Sequence, residues 1–401
     1  MKPEFTATAA NIGYYWWSND IGGHMFGIRD DEMAARWVQL GCFSPINRLH
    51  STSSVFNSKE PWRYSRDARA TMEAYLRLRH RLVPYLYTWA RRSAGEGIAP
   101  VRPVYHDHPR ELAAYEHRGS FCFGDLLVVP FTSPLDVATG LGRELTWLPD
   151  GVWYDLPTGR RYEATTGGRG RMLSLSRPLD RIGVLARAGS VIPLAGNLTE
   201  AAGDNPRELE IVVVPGGSGS FTLEEDDGSA QPGEDRIART HMALTWPEDE
   251  DGADVVLRIR LEGAADVVPA SRLVTVRLLA GRVTGAWLGV GERARRLATE
   301  EVSGDGFTLG AGTLVHLEEL SRQDLIDGVQ LVLRGTQHSP ADWRNEVHTI
   351  LDGARVEYMA KDLAWDAVQR GLSGTALLGE LEALGLPETL RAAVAEVLPH
   401  S

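Results

Sequence analysis

Apolar and polar residues alternate along the first hundred positions in a way that predicts strands and helices in turn. The apolar and aromatic run of residues 12–17 breaks into glycine-rich polar sequence, which indicates a buried strand followed by a loop. Met33, Trp37 and Leu40 then share one helical face. A second strand is expected around residues 42–46, before another polar loop.

A long helical pattern follows over residues 66–95. Pro84 lies inside this pattern and should kink or split the helix, because proline removes one backbone donor. The order strand, helix, strand, helix is that of a (β/α) barrel, in which the loops after the strands meet at one mouth.

From about residue 100 the pattern changes to short strands separated by turn residues. Residues 121–130 have the pattern of a strand pair interrupted at Gly124-Asp125, and Pro149-Asp150-Gly151 is a turn sequence between two apolar runs. Residues 184–194 again show a strand, a glycine and a strand. An antiparallel β-sandwich accounts for these patterns.

The β pattern continues to about residue 335 and predicts a second β domain. Its strand-like runs cover residues 209–214, 220–224, 253–261 and 273–279. Helical spacing returns beyond about residue 338, over residues 347–351, 356–363 and 377–386. Gly371 and Gly385-Leu386-Pro387 are stop signals within this small helical tail.

Composition narrows the classes of partner and compartment. The 401-residue chain has a formal net charge of −12, which argues against nucleic acid and anionic membranes but is compatible with a neutral sugar. Cys42 and Cys122 offer neither a disulfide framework nor zinc-ligand spacing, so we expect a cytoplasmic protein without a metal or other cofactor. The N-terminal residues lack the apolar region of a signal peptide, and no apolar stretch approaches about 18 residues.

Asp20 and His50 are the strongest candidates for ligand contact, because they lie on two successive loops after the predicted barrel strands. A carboxylate and an imidazole there can hydrogen-bond to adjacent hydroxyls of a sugar, and Trp16, Trp17 or Trp62 could offer an aromatic face to its C–H side. The alternative is that Asp20 only caps a turn and His50 is a core histidine with its hydrogen bonds satisfied.

Three other clusters have simpler explanations. Asp30, Asp31 and Glu32 could pair as catalytic carboxylates, but capping of a helix N-terminus explains them better. Residues 224–227 could bind calcium, yet they lack the spacing of a calcium loop and are expected at a solvated hairpin tip. His106 and His108 have no third metal ligand in sequence and are expected at the surface.

Nine motifs occur in one order and make the chain resemble glycoside hydrolase family 31, the α-glucosidase and α-xylosidase family. The resemblance is strong over about residues 10–230. The motifs are Tyr15-Trp-Trp-Ser-Asn-Asp-Ile-Gly-Gly-His24, Arg36-Trp-Val-Gln-Leu-Gly-Cys-Phe-Ser-Pro45, Arg48-Leu-His50, Arg79-His-Arg-Leu-Val-Pro-Tyr-Leu-Tyr87, Arg102-Pro103, Phe123-Gly-Asp-Leu-Leu-Val128, Leu148-Pro-Asp-Gly-Val-Trp-Tyr154, Arg181-Ile-Gly-Val-Leu-Ala-Arg-Ala-Gly-Ser-Val-Ile-Pro193 and Leu223-Glu-Glu-Asp-Asp-Gly228.

The resemblance implies a mixed α/β and all-β chain. Residues 1–99 would hold the last two β/α units of a TIM (β/α)₈ barrel, residues 100–195 a proximal and residues 196–337 a distal antiparallel β-sandwich, and residues 338–401 the helical tail. By the same resemblance Asp20 follows the seventh barrel strand and His50 the eighth. With Trp17 and Arg48 they would bind the sugar that is transferred.

The family's retaining mechanism uses two Asp side chains, a nucleophile and an acid/base. The resemblance places the nucleophile in a Trp-x-Asp-Met-Asn-Glu-like motif after the fourth strand and the acid/base after the sixth, and neither motif is present. We therefore expect the C-terminal portion of a retaining α-glycosidase, most often an α-glucosidase in this family. Its partners would be an α-linked oligosaccharide and the missing N-terminal barrel portion, and the chain alone should be inactive. The alternative is a non-catalytic fragment that binds carbohydrate or complements a subunit.

Overall fold

Helices dominate the N-terminal quarter of the chain in this computed structural model. The structure describes residues 2–23, 27–201, 203–247, 254–289, 291, 294–339 and 341–399. None of the helices in this part of the chain is long and apolar enough to cross a membrane. The helices of the first hundred residues are α1 (Lys2–Thr8), α2 (Asp31–Cys42), α3 (Arg66–Arg81) and α4 (Val83–Glu96), with 3₁₀ turns at Ala9–Ile12 and Pro61–Arg63.

The helix predictions for this region are confirmed, but both strand predictions are wrong. Ile12 is the last residue of a 3₁₀ turn that Gly13 caps, residues 14–17 form no strand, and Cys42 is the last residue of α2. In the described residues the only parallel β contact of this region is a single bridge between Ile21 and Leu49. A barrel strand needs hydrogen-bonding neighbours on both sides. Among the described residues, the segments at Ile21 and Leu49 have only this bridge to each other.

The break at Pro84 is confirmed. Helix α3 ends at Arg81, Leu82 is shared as a cap, and α4 begins at Val83 with Pro84 in its first turn. Proline is tolerated there because a first-turn amide has no helical acceptor.

The first β region forms one six-stranded sheet, ordered β1-β2-β3-β8-β5-β6, and a β4-β7 ribbon. Its strands and short helices are β1 (Val101–Pro103), α5 (Val104–Asp107), α6 (Leu112–Glu116), β2 (Phe121–Phe123), β3 (Leu126–Val129), β4 (Gly142–Leu148), β5 (Val152–Asp155), β6 (Arg161–Glu163), β7 (Arg171–Arg177) and β8 (Gly183–Arg187).

The predicted hairpin at Gly124 is confirmed as β2 and β3. Gly124 has a φ of 58°, and a Cβ there would lie 2.3 Å from the Trp89 indole nitrogen and the Tyr85 hydroxyl oxygen, so only glycine fits. The turn at residues 149–151 joins β4 to β5, but these strands belong to the ribbon and to the sheet respectively.

The second β region contains two larger sheets, ordered β18-β19-β14-β10-β9 and β11-β12-β13-β21-β16-β17. Its elements are β9 (Val191–Ala195), β10 (Glu208–Val213), β11 (Gly219–Glu225), β12 (Ala238–Thr245), β13 (Val255–Gly263), β14 (Ser271–Leu279), β15 (Gly281–Arg282), β16 (Gly285–Leu288), β17 (Arg295–Leu297), β18 (Thr299–Val302), β19 (Gly312–His316), β20 (Leu320–Ser321), α7 (Arg322–Asp327), β21 (Val329–Arg334) and β22 (Gln337–His338).

This region is not purely antiparallel, which corrects one part of the sequence prediction. Strands β10 and β14 pair in parallel, because β11 to β13 lie between them in the chain and form the other sheet. Strand β9 pairs with β10 across the boundary predicted at residue 195. Residue 253, at the start of a predicted strand, lies outside the described residues.

Four helices form the tail: α8 (Trp343–Gly353), α9 (Tyr358–Gln369), α10 (Gly374–Ala383) and α11 (Glu388–Val397). They enclose a small apolar core of their own, whereas buried residues from Ala7 to Leu333 form one continuous core. The first hundred residues therefore share a core with the β regions instead of standing as a separate folding unit.

Candidate functional site

Asp20 and Arg48 are brought together by the bridge between Ile21 and Leu49. The Ile21 amide donates to the Arg48 carbonyl at 3.1 Å, and the His50 amide donates to the Ile21 carbonyl at 3.5 Å. The residues before the bridge then face each other, and the Arg48 guanidinium lies 2.8 Å from the Asp20 carboxylate. The bridge thus places three of the four predicted site residues on adjacent backbone segments.

Helix α2 contacts the residues on either side of Asp20. The Trp37 indole donates to the side-chain oxygen of Asn19 at 2.6 Å, next to Asp20. Ile21 is fully buried, and a Cβ at Gly41 would lie 2.2 Å from its terminal carbon. The motif around Trp37 and Gly41 therefore positions the loop that carries Asp20.

Arg79 fixes the other segment. Its guanidinium donates to the carbonyls of Cys42, Ser44 and Pro45 at 2.5–2.9 Å, and burial lowers its pKa. These carbonyls precede Arg48 in the chain, so the buried Arg79 guanidinium holds the backbone that leads to Arg48 in one conformation.

Trp17, the fourth predicted site residue, lies in an aromatic cluster. Its ring centroid is 5.2 Å from that of Phe5 and 5.8 Å from that of Tyr14. Its role in a sugar site stays a prediction. His24 lies outside the described residues.

A cleft of about 820 Å³ lies between the segments at residues 27–30 and 52–64. Gly22, two residues after Asp20, lies in its wall. Phe56 and Trp62 line it with exposed aromatic side chains, and Lys59 adds a cation whose pKa is lowered by burial. Sequence reasoning named Trp62 but missed Phe56 and Lys59, because a polar loop gives no periodic signal.

The capping explanation of the acidic cluster is confirmed for Asp30, whose carboxylate accepts the Met33 amide at 2.9 Å. Asp31 accepts from Arg29 at 2.8 Å and from the Ser65 amide at 2.7 Å. The hydrogen bond from Arg29 is the main reason that the pKa of Asp31 falls to about 2. These carboxylates therefore stabilise the N-termini of α2 and α3.

The acidic segment at residues 224–227 is not a solvated hairpin tip, which corrects the sequence prediction for most of it. Glu225 is buried and accepts from the fully buried Arg272, with one contact of 2.9 Å. Glu224 lies 2.8 Å from Arg91 of α4, and Asp226 accepts from the Tyr87 hydroxyl. The buried Arg272 needs a paired carboxylate, and Glu225 supplies it. The contacts of Glu224 and Asp226 with α4 connect this helix to the second β region.

The histidines near Asp107 have different surroundings. His106 is exposed and lies 2.8 Å from the Asn11 side-chain oxygen, in agreement with its predicted surface position. His108 is half-buried, its ring 5.4 Å from that of Trp147, and burial lowers its pKa. Among the described residues, no three of the His, Cys, Asp and Glu side chains cluster as metal ligands.

Two family models match the N-terminal half of this chain. The model of the "Glycosyl hydrolases family 31 TIM-barrel domain" matches residues 3–89, and that of the "Glycosyl hydrolase family 31 C-terminal domain" matches residues 97–192. These residues belong to glycoside hydrolase family 31. The Asp20–Arg48 pair lies in the part matched by the barrel domain.

Curated relatives agree with this assignment to family 31. An α-xylosidase of Saccharolobus solfataricus is 31% identical over 242 residues, which cover 59% of this chain and 32% of the relative. The lysosomal α-glucosidase of Mus musculus is 28% identical over 262 residues, which cover 61% of this chain and 27% of the relative. The chain thus spans about a third of the length of these family 31 relatives.

Solved structures show the same fold. A family 31 dextranase from Flavobacterium johnsoniae has a TM-score of 0.65 at 20% identity, over 82% of this chain and 41% of that one. A family 31 α-xylosidase from Xanthomonas citri has a TM-score of 0.54 at 26% identity, over 66% of this chain and 28% of that one.

Proposed function

We propose that this chain supplies the sugar-holding part of the active site of a retaining α-glycoside hydrolase, most simply an α-glucosidase. The observation that carries the proposal is the ion pair of Asp20 and Arg48 across the Ile21–Leu49 bridge. The Asp20 and Arg48 side chains are 34% and 54% exposed, so both are accessible to a ligand, and Gly22 in the wall of the cleft is two residues from Asp20.

The chemistry of the pair suits adjacent sugar hydroxyls. The Asp20 carboxylate accepts a hydrogen bond from one hydroxyl, and the Arg48 guanidinium donates to the next. Arg48 also orients the carboxylate before the sugar arrives. In this proposal neither residue gives a proton or attacks carbon, and His50 contributes a further polar contact from the neighbouring segment.

The nucleophile and the acid/base then come from a barrel portion with the two carboxyl groups about 5–5.5 Å apart, as retention requires. An exposed apolar surface around the N-terminal helices supports such a partner. Ile28 and Phe56, which line the same cleft, are 94% and 92% exposed. Large exposed apolar side chains gathered in one region are typical of a surface that another polypeptide covers.

The second candidate is a non-catalytic fragment that binds carbohydrate or complements a subunit without turnover. The observation that favours it is the sharing of one continuous core between the N-terminal helices and the β regions, because this gives the chain a stable fold of its own. The two candidates differ in whether hydrolysis appears when a barrel portion is added.

The test is an activity assay with 4-nitrophenyl α-glucoside. The purified chain alone should release no nitrophenol above the uncatalysed rate, and mixing it with the N-terminal barrel portion of a family 31 α-glucosidase should restore hydrolysis. Hydrolysis by the chain alone would overturn the proposal that the carboxylates are supplied from elsewhere. A complex that forms but stays inactive would establish the non-catalytic candidate instead.

A further inference from the structure

A second cavity, of about 450 Å³, lies where helix α4, the first β region and the start of β11 meet. Its wall includes Arg102, Asp125, Arg187 and residues 218–220. We call it the junction cavity. Its volume is within the range of about 300–1,000 Å³ found for small-molecule sites, which prefer junctions between domains.

The charged side chains that line the junction cavity balance one another. Arg102 and Arg187 carry positive charge, and Asp107 and Asp125 carry negative charge. His108 also lines it, and burial lowers the pKa of this histidine, which favours the neutral ring at pH 7. A lining of zero formal charge selects neither anions nor cations.

Arg102 and Asp107 already form an ion pair with each other. Arg102 is buried and donates to both carboxylate oxygens of Asp107, at 2.7 Å and 2.9 Å, and to the Gly124 carbonyl at 3.1 Å. This pair is therefore a rigid part of the wall with little left to offer a ligand.

Asp125 and Arg187 are different, because neither forms an ion pair within the part of the chain that the structure describes. The Asp125 amide donates to the Tyr85 hydroxyl at 2.7 Å, which fixes the backbone of this residue in the wall of the cavity. The surrounding protein raises the pKa of this carboxyl by removing water from it. An acceptor and a guanidinium donor thus line one cavity with hydrogen-bonding capacity to spare.

Aromatic residues complete the wall. Trp153 and Tyr85 both line the cavity, and the Trp153 indole donates to the Pro149 carbonyl at 2.9 Å, which holds its ring in place. The Tyr85 and Trp153 side chains are almost fully buried, so they fix the apolar part of the wall, while Asp125 and Arg187 supply the groups that the hydroxyl edge of a sugar can bind.

We propose that the junction cavity binds a neutral saccharide unit through Asp125 and Arg187, independently of Asp20. A hydroxyl donates to Asp125, and a neighbouring hydroxyl accepts from Arg187. The site would hold a glycan on the β regions while the proposed Asp20 site holds a second part of it.

The test is isothermal titration of the purified 401-residue chain with maltose. We expect saturable binding that Asp125→Asn and Arg187→Gln each weaken at least tenfold, which corresponds to the loss of one charged hydrogen bond of about 1.5 kcal/mol. Asp235→Asn, a matched control at an exposed carboxylate, should leave this binding unchanged.

Absence of maltose binding by the unaltered chain would overturn the proposal, and so would binding lost in Asp20→Asn but kept in Asp125→Asn. Inorganic phosphate that binds in place of maltose would show an anion site and would also overturn it. Thermal unfolding of each variant checks its fold, and if Arg187→Gln does not fold, the isosteric Asp125→Asn decides. A failed hydrolysis assay does not affect this outcome, since the Asp20 site is tested separately.

Discussion

The Arg177 guanidinium of β7 lies 2.6 Å from the Glu396 carboxylate of α11, and both side chains are almost fully buried. Asp155 lies 3.0 Å from the same guanidinium, and the Tyr162 hydroxyl donates to Glu396 at 2.6 Å. The helical tail is therefore attached to the first β region through a buried charge cluster.

Removal of the Glu396 carboxylate should destabilise the protein and loosen the tail. Breaking a buried pair costs about 3–5 kcal/mol, and the remaining contact to Asp155 places Glu396→Ala near the lower end. Urea denaturation measures the loss, and limited proteolysis near residue 340 reports release of the tail. Glu388→Ala is the matched control, because its pair with Arg143 is exposed and worth less than about 1 kcal/mol. Equal effects of the two variants would contradict this account of the tail.

A methyl group at position 41 should disturb the loop of Asp20. In Gly41→Ala the new carbon would lie 2.2 Å from the side chain of Ile21, an overpacking that costs about 1–3 kcal/mol. Gly95→Ala in α4 is the control, since a Cβ there meets nothing and alanine favours the helix. Thermal unfolding compares them, and a Gly41→Ala protein as stable as Gly95→Ala would show that α2 does not support the site.

The Asp31 carboxyl should titrate at unusually low pH. Its folded pKa, about 2, lies below the unfolded value of about 3.9, so its stabilising contribution is present above about pH 4 and lost as the pH falls towards 2. NMR titration of the carboxyl carbon gives the value directly. Arg29→Gln should raise this pKa because it removes the largest cause of the shift. An Asp31 pKa near 4 in the unaltered protein would contradict the contact.

Local signals predicted the elements that depend on nearby residues. Gly124 marks the β2–β3 hairpin and Pro84 marks the break between α3 and α4, because both act through the geometry of their own backbone. The order of the motifs also pointed to Asp20 and Arg48, which the bridge at Ile21 brings together.

Features that depend on distant residues were not predicted. Glu225 and Arg272 form a buried pair although they are 47 positions apart in the chain. Nothing in an acidic turn sequence indicates that a remote arginine will pair with one of its carboxylates. The run at residues 12–17 has the composition of a strand, but a strand also needs a neighbour to pair with. Trp17 could not be placed either, because nothing in the sequence indicates that Phe5 packs against its ring.

The central claim is that Asp20 holds the sugar while the reacting carboxylates come from elsewhere. The most direct measurement is kcat/KM for 4-nitrophenyl α-glucoside, with the chain alone and with a family 31 barrel portion, for the unaltered chain and for Asp20→Asn. We predict no turnover by the chain alone, restored turnover with the barrel portion, and a loss of about 100-fold or more in the Asp20→Asn mixture with an unchanged pH profile. Turnover by the chain alone, or an Asp20→Asn mixture as active as the unaltered one, would contradict the claim.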